Sequence, residues 1–360
     1  MGMSATTASK RYASVDALRG LTVAAMLLVN NPGDWGHVYW PLEHAEWHGC
    51  TPTDLIFPFF LFIVGVSIAL AFGSRIEAHV PPAPMAKTIL VRALRIIGLG
   101  LVLHLLAWWL MDKPEFRIMG VLQRIGLCFA LVGCAAVYLR ERTQWLLLGG
   151  LLLGYAALLL GAGSLDKLGN IASRVDAAVL GRHAYEWVAA TGFGHEPEGL
   201  VSTLGALATC LLGLRAGHLL RQGKLQQLLI FGVAAAALGW LVTGVLPFNK
   251  QLWTSSFVLW TGGLACLALA LAHVLIDQRG WPALGRSFGV NAIAAYGGAW
   301  MCTVLLEGFG LMAPLYAHGF AWLQPLVGPW GQSLAFALAF VAVWAVIVKL
   351  LDRRGIYFKV

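Results

Sequence analysis

The sequence predicts an all-α, polytopic integral membrane bundle of about ten transmembrane helices, with an eleventh possible, and three observations predict it. Of 360 residues, 59% are hydrophobic and only 12% are charged, whereas a soluble domain carries about 25% charged residues. The apolar residues fall in blocks of about twenty, the helix length that crosses a bilayer. Although the net charge is +8, the cations sit at block ends, where they orient membrane helices, and not on the single basic surface that nucleic acid requires.

The blocks place spans at about 17–32, 53–74, 88–110, 118–139, 144–163, 200–220, 227–246, 254–277, 287–306 and 331–350. The membrane domain thus runs over 17–351, between tails at 1–16 and 352–360, and its longest connection is a partly helical loop at 164–199. The first block follows Lys10, Arg11 and Arg19 as a signal peptide would. It ends in Val29-Asn30-Asn31-Pro32-Gly33 without a small-residue cleavage pattern, so it reads as a retained helix. The aromatic and Pro-rich stretch 306–330 is open to a re-entrant piece, which leaves the helix count open there.

Charge sets the expected orientation. With the N-terminus in the cytoplasm, the opposite ends receive Lys113, Arg117, Lys167, Arg174, Arg182 and Lys250. Arg124 falls inside a block, and the remaining 18 of the 25 Lys and Arg residues fall on the cytoplasmic side. The positive-inside rule then puts both termini in the cytoplasm. The six cysteines are scattered without a CxxC pair, which points to neither a disulfide framework nor a zinc ribbon. No internal repeat is evident, which counts against a transporter of inverted halves.

Polar groups are costly at membrane depth, and here they converge on the non-cytoplasmic side. The first loop holds Asn30, Asn31, Asp34, Glu43, His44, Glu46, His48 and Asp54. Gln123-Arg124 begins the fourth block, Glu196 and Glu198 precede the sixth, and Asn249-Lys250 precedes the eighth. A neutral imidazole such as His44 can take a proton from an amine or hydroxyl, or be acylated itself. A nearby carboxylate or amide would fix its tautomer; the bland alternative is an interfacial histidine. His44 and His48 would share a face if helical, as zinc ligands do, but the Glu of the zincin motif is out of place. Arg124 either lines a cavity or pairs internally with Glu198 or Asp54. Trp108, Trp109, Trp240, Trp253, Trp260 and Trp330 read as an interfacial belt. No glycine fingerprint for phosphate is present. A phosphorylated cofactor would therefore rely on cytoplasmic arginines, with Arg92 and Arg95 on one helix face near Arg19 or Arg286; otherwise these are membrane anchors.

Several runs carry a resemblance. They are Asp16 to Asn30, beginning Asp-Ala-Leu-Arg-Gly; Leu42 to Gly65, containing His44, Thr51 and Asp54-Leu-Ile-Phe-Pro58; and Gly120-Val-Leu-Gln123-Arg124. Further along come Pro197-Glu198-Gly199, Asn249-Lys250-Gln-Leu-Trp253-Thr-Ser255, Gly289-Val-Asn291 and Arg354-Gly355-Ile-Tyr357. In order, and over nearly the whole chain, they resemble the heparan-α-glucosaminide N-acetyltransferase family, most closely its bacterial members.

The resemblance implies a multi-pass protein of the bacterial inner membrane that moves acetyl from cytoplasmic acetyl-CoA to the amine of a glucosamine-type sugar across the membrane, and by family analogy it allows a homodimer. It places the active histidine on His44 and its partner on Asn30. The matched motifs carry Asp54, Gln123, Arg124, Glu198, Asn249, Lys250 and Trp253 as substrate-binding residues. Arg19, Arg92, Arg95 and Arg286 are the candidates for CoA, and no metal is implied. The spacing from Asn30 to His44 is longer than in the animal enzyme, which leaves the acceptor glycan open. Two other classes fit the same polar cavity: an amino-sugar transporter, which would need no acetyl donor, and a membrane metalloenzyme, which would need stoichiometric zinc.

Overall fold

The computed structural model describes residues 11–358; Lys10, Lys359 and most of the expected N-terminal tail lie outside the described residues. The helices in chain order are α1 (Ala13–Val29), α2 (Ile56–Glu77), α3 (Pro82–Leu110), α4 (Val121–Tyr138), α5 (Glu141–Gly161) and the short α6 (Ile171–Leu180). A two-stranded hairpin follows, β1 (Glu186–Val188) antiparallel to β2 (Phe193–His195). The chain continues as α7 (Thr203–Arg221), α8 (Leu225–Leu241), α9 (Ser255–Ala272), α10 (Arg286–Val290), α11 (Ala292–Gly308), α12 (Met312–Phe320) and α13 (Gln324–Arg353).

Among the described residues, nine helices are long and apolar enough to cross a bilayer. The ninth expected span, α11, has 17 residues. At 1.5 Å per residue it covers about 25 Å, a little less than a typical hydrocarbon core. The stretch 306–330 is mostly helical and begins with the end of α11. It continues as α12, a three-ten turn and the first residues of α13, which bend at Gly328 (φ 71°) before Pro329. Proline cannot extend the helix behind it, and glycine supplies the positive φ.

Lipid provides no hydrophobic force between helices, so close packing must come from small residues at the crossings. The pair α2·α7 is the most extensive contact in the bundle. A Cβ on Gly65 would lie 1.9 Å from the Cys210 carbonyl oxygen, and one on Gly213 1.9 Å from that of Phe62. Glycine on both helices is what brings the backbones together. The α1·α10 contact repeats the device, with Gly289 against the Asp16 carbonyl. Leu211, Leu212, Leu214, Phe62 and Ile63 fill the core around the α2–α7 axis.

The loops 30–55, 111–120, 162–202 and 242–254 meet on one face of the bundle, the site face. The long loop 164–199 is ordered: α6 is capped by the Asn170 side chain, which accepts from the Ser173 amide, and α6 packs on β2.

Gly213→Leu should fold poorly, because the obstructing atoms are backbone and cannot yield. The expected loss is at least the ~1–3 kcal/mol of an overpacked core, seen as a lower melting temperature in detergent. Gly154→Leu, in α5 with open space around it, should stay within about 0.5 kcal/mol of wild type.

Candidate active site

The turn that leads into α2 organises the site. Thr51-Pro52-Thr53-Asp54 forms a capping box: the Thr51 side chain meets the Asp54 amide, and the Asp54 carboxylate accepts from the Thr51 amide at 3.0 Å. Ser/Thr-x-x-Asp before an apolar run is a helix-start signature. Asp54 is 1% exposed, and its Oδ2 also accepts from the Ala45 amide at 3.0 Å and the Thr51 hydroxyl at 3.1 Å. The other oxygen, Oδ1, lies 2.8 Å from His44 Nδ1. An ionised carboxylate only accepts, so Nδ1 carries the hydrogen and Nε2 keeps its lone pair. Asp54 therefore performs the tautomer-fixing role for which the sequence offered only a carboxylate or amide in general.

His44 stands on the wall of a cavity of about 540 Å³ at the site face, lined also by Asn30, Trp47, Asp54, Arg117, Tyr185, Glu198, Lys250, Gln251, Trp253, Trp300 and Glu307. Asn30 caps the end of α1 and shares this wall, but the partners of His44 are Asp54 and Lys250. The neighbouring Asn31 is buried, donates to the Leu27 carbonyl at 2.8 Å and accepts from the Thr303 hydroxyl at 2.6 Å, which ties α1 to α11.

Lys250 arrives on the α8–α9 loop. Its Nζ is 2.9 Å from His44 Nδ1, 3.2 Å from Nε2 and 3.5 Å from Asp54 Oδ1. The loop is tightly pinned. Asn249 is buried, and its side chain accepts from the Leu252 amide at 2.8 Å. Trp253, at φ 54°, is a bulky residue in the left-handed region, a conformation that costs about 1–3 kcal/mol. Its indole offsets this by donating to Thr209 at 2.9 Å, with its ring edge-on to Phe57 and under Arg124. Trp253 is thus a buried anchor and does not belong to an interfacial belt; Trp109 and Trp240, at 75% and 60% exposed, fit that reading.

The remaining polar residues separate into those in the cavity and those behind it. Arg124 is fully buried, donates to Gly199 and Ser202, and is absent from the cavity wall. Gln123 is likewise buried, donating to the Ile118 carbonyl at 3.0 Å. The carboxylate partner expected of Arg124 belongs instead to Arg117, a residue that sequence reading passed over. Arg117 donates to both Glu196 and Glu198 and lies 4.5 Å from the Tyr185 ring. Burial opposes ionisation of Glu198, but the charges of Arg117, Arg124 and Lys250 outweigh it and hold its carboxyl below the usual glutamate range. Nothing in the sequence could pair Arg117 with carboxylates about eighty positions away. The hairpin adds Tyr185 and Glu186, whose carboxylate meets Lys167 at 2.7 Å.

The helical His44–His48 face needed for a zinc reading does not form. Residues 43–50 are irregular, with His44 turned to Asp54 and His48 to Asn249. Among the cytoplasmic-side candidates, Arg19 binds Asp16, Ser67 and the Gly289 carbonyl, and Arg286 binds Asp352. Arg92 lies over the Phe129 ring, and Arg95 is exposed.

A multi-pass helical membrane protein, with a His–Asp pair beside a lysine in a polar cavity at one face, is the class that fold and site define. Residues 11–244 match the family model "Heparan-alpha-glucosaminide N-acetyltransferase, catalytic", and the chain belongs to that family. The human protein named heparan-alpha-glucosaminide N-acetyltransferase is 29% identical over 97% of this chain and 60% of its own length. The mouse protein of the same name is 27% identical over 98% and 61%. The chain thus spans about 60% of the length of these relatives.

Two measurements test the buried charges. Arg117→Ala leaves two carboxylates without their cation, which should cost about 3–5 kcal/mol, read by thermal unfolding. Burial also pushes the Asp176 carboxyl up to about 6, above the ordinary value near 3.9. The folded state then holds a proton that the unfolded state releases, so this stability is present below about pH 4 and lost as pH rises through about 6. Asp176→Asn keeps an acceptor for the Leu200 amide, which lies 2.8 Å from the carboxylate. Its melting temperature should exceed that of wild type at pH 7.5 and converge with it in acid.

Proposed function

We propose that this protein is a transmembrane acetyltransferase that moves acetyl from acetyl-CoA to the amine of a glucosamine-type sugar at the site face. The observation that carries the reading is the His44 Nδ1–Asp54 Oδ1 hydrogen bond of 2.8 Å on the wall of the polar cavity, in a chain of this family.

An amino sugar enters water mostly as an ammonium and must lose protons before it can attack. His44 Nε2 takes a proton as the nitrogen adds to the thioester carbonyl, and buried Asp54 stabilises the imidazolium that forms. The thiolate leaves as the tetrahedral species collapses, and His44 returns the proton. Asn30, on the same wall, supplies an amide donor for the oxyanion. Glu198 and Glu186 accept from acceptor hydroxyls, and Trp47 and Trp300 offer apolar ring surface to the sugar. Asn249, Gln123 and Arg124 act from behind the wall by holding its loops in place, and Trp253, which lines the cavity, anchors the Lys250 loop on Thr209.

Acetyl-CoA approaches from the opposite face, which the charge distribution makes cytoplasmic, with both termini there and the membrane a bacterial inner membrane. Arg19, Val23, Met26 and Asn30 lie along one stripe of α1, and Arg92, Arg95, Leu99 and Leu103 along one stripe of α3. Both helices contact α11. The slim pantetheine arm follows this wedge toward His44, while the nucleotide rests on Arg92 and Arg95. Arg19 and Arg286 are committed to Asp16 and Asp352, and they shape that end. A homodimer accords with the family resemblance.

The test is label transfer from acetyl-CoA to glucosamine by purified protein in liposomes. His44→Ala should lose activity by about 10²–10⁴-fold, and Asp54→Asn, which frees the wrong tautomer, by a comparable factor. Sugar movement that needs no acetyl-CoA, with no acetylated product, would make the protein a transporter instead.

A further inference from the structure

The second partner of His44 is a primary amine, the same functional group that the proposed reaction acetylates. With Nδ1–H committed to Asp54, the only acceptor His44 offers to Lys250 is Nε2, and Nζ lies 3.2 Å from it. A lysine amine thus stands against the imidazole, 2.9 Å from Nδ1 and 3.2 Å from Nε2. Any acceptor amine must replace Lys250 there, and Lys250 stands where that amine has to come.

We propose that Lys250 is a self-acetylation site: with an acetyl thioester bound and no acceptor present, the acetyl group passes to Lys250 Nζ. The proposal rests on the acetyltransferase reading of the same cavity. The chemistry balances without another reactant. The ammonium first loses one proton to water at the cavity mouth. The neutral Nζ then attacks the thioester carbonyl carbon, the C–S bond breaks, and an N–C bond forms. Nε2 takes the remaining excess proton from nitrogen and delivers it to the departing thiolate. The products are an Nε-acetyl-lysine amide and a free thiol.

Two features make the lysine competent. The pinned Asn249–Trp253 loop holds Nζ beside the imidazole. Burial lowers the ammonium below the ordinary lysine range, against the opposing charges of Asp54 and Glu198, and so enlarges the neutral fraction. Asp54, which pairs with Lys250 at 3.5 Å, slows the side reaction by favouring the ammonium. Acetylation removes the cation beside Asp54 and leaves an amide against Nε2. The modified protein should then transfer acetyl poorly, and the acceptor should protect the enzyme from its own donor.

The experiment incubates the full chain in lipid nanodiscs with acetyl-CoA alone, then maps acetyl-lysine by peptide mass spectrometry and assays transfer to glucosamine in parallel. Lys250 should gain one acetyl group in wild type, about a hundredfold less in His44→Ala, and progressively less as glucosamine is added. Exposed Lys87 and Lys224, both outside the cavity, report non-enzymatic acetylation, which should be equal in both proteins. Lys250 left unmodified in a preparation that acetylates glucosamine would overturn the proposal and leave the acetyltransferase reading standing. Equal modification of Lys250 in His44→Ala would also overturn it. Neither modification nor transfer would overturn the acetyltransferase reading itself.

Discussion

The site depends on one buried carboxylate. Asp54 is the closing residue of a capping box, the acceptor for the Ala45 amide, the partner of His44 and the counter-ion of Lys250. A charge at this depth is tolerated only when every lone pair is used, and the local turn supplies most of the donors. The same turn that starts α2 thereby orients the imidazole, so folding of the helix and assembly of the site are one event.

Around this carboxylate the bundle is built for closeness. Gly65 and Gly213 bring α2 and α7 into backbone contact, with the Asp54 turn leading into α2. Trp253 bridges from the α8–α9 loop to Thr209. A strained backbone at a pinned loop is a common way to hold a side chain where unstrained chain would not leave it, and here the side chain is Lys250, set beside His44. Arg117 binds the 196–198 segment from the opposite wall, so the cavity is closed by ion pairs above and glycine crossings below.

Much of this was legible in the sequence. The helical spans and the gathering of polar residues on one face follow from hydropathy and loop charge, while His44 and Asp54 were singled out by the family resemblance. The Thr51–Asp54 capping signature was also present and would have identified the carboxylate that serves His44. The pairing of Arg117 with Glu196 and Glu198, the withdrawal of Arg124 behind Trp253 and the engagement of Arg286 by Asp352 were not legible. Each joins residues from different loops or helices, and no local pattern encodes which cation meets which carboxylate.

The sequence by itself determined the solvent and the architecture, because twenty-residue apolar blocks have one low-energy outcome in a bilayer: helices whose backbone groups are satisfied internally. It also determined that polar residues at membrane depth would have a purpose. Only the tertiary structure decided which of them meet. Lys250 meets His44 at about 3 Å from some two hundred residues away, a separation set by helix crossings and loop anchors, and hydrogen-bond chemistry changes over less than one ångström.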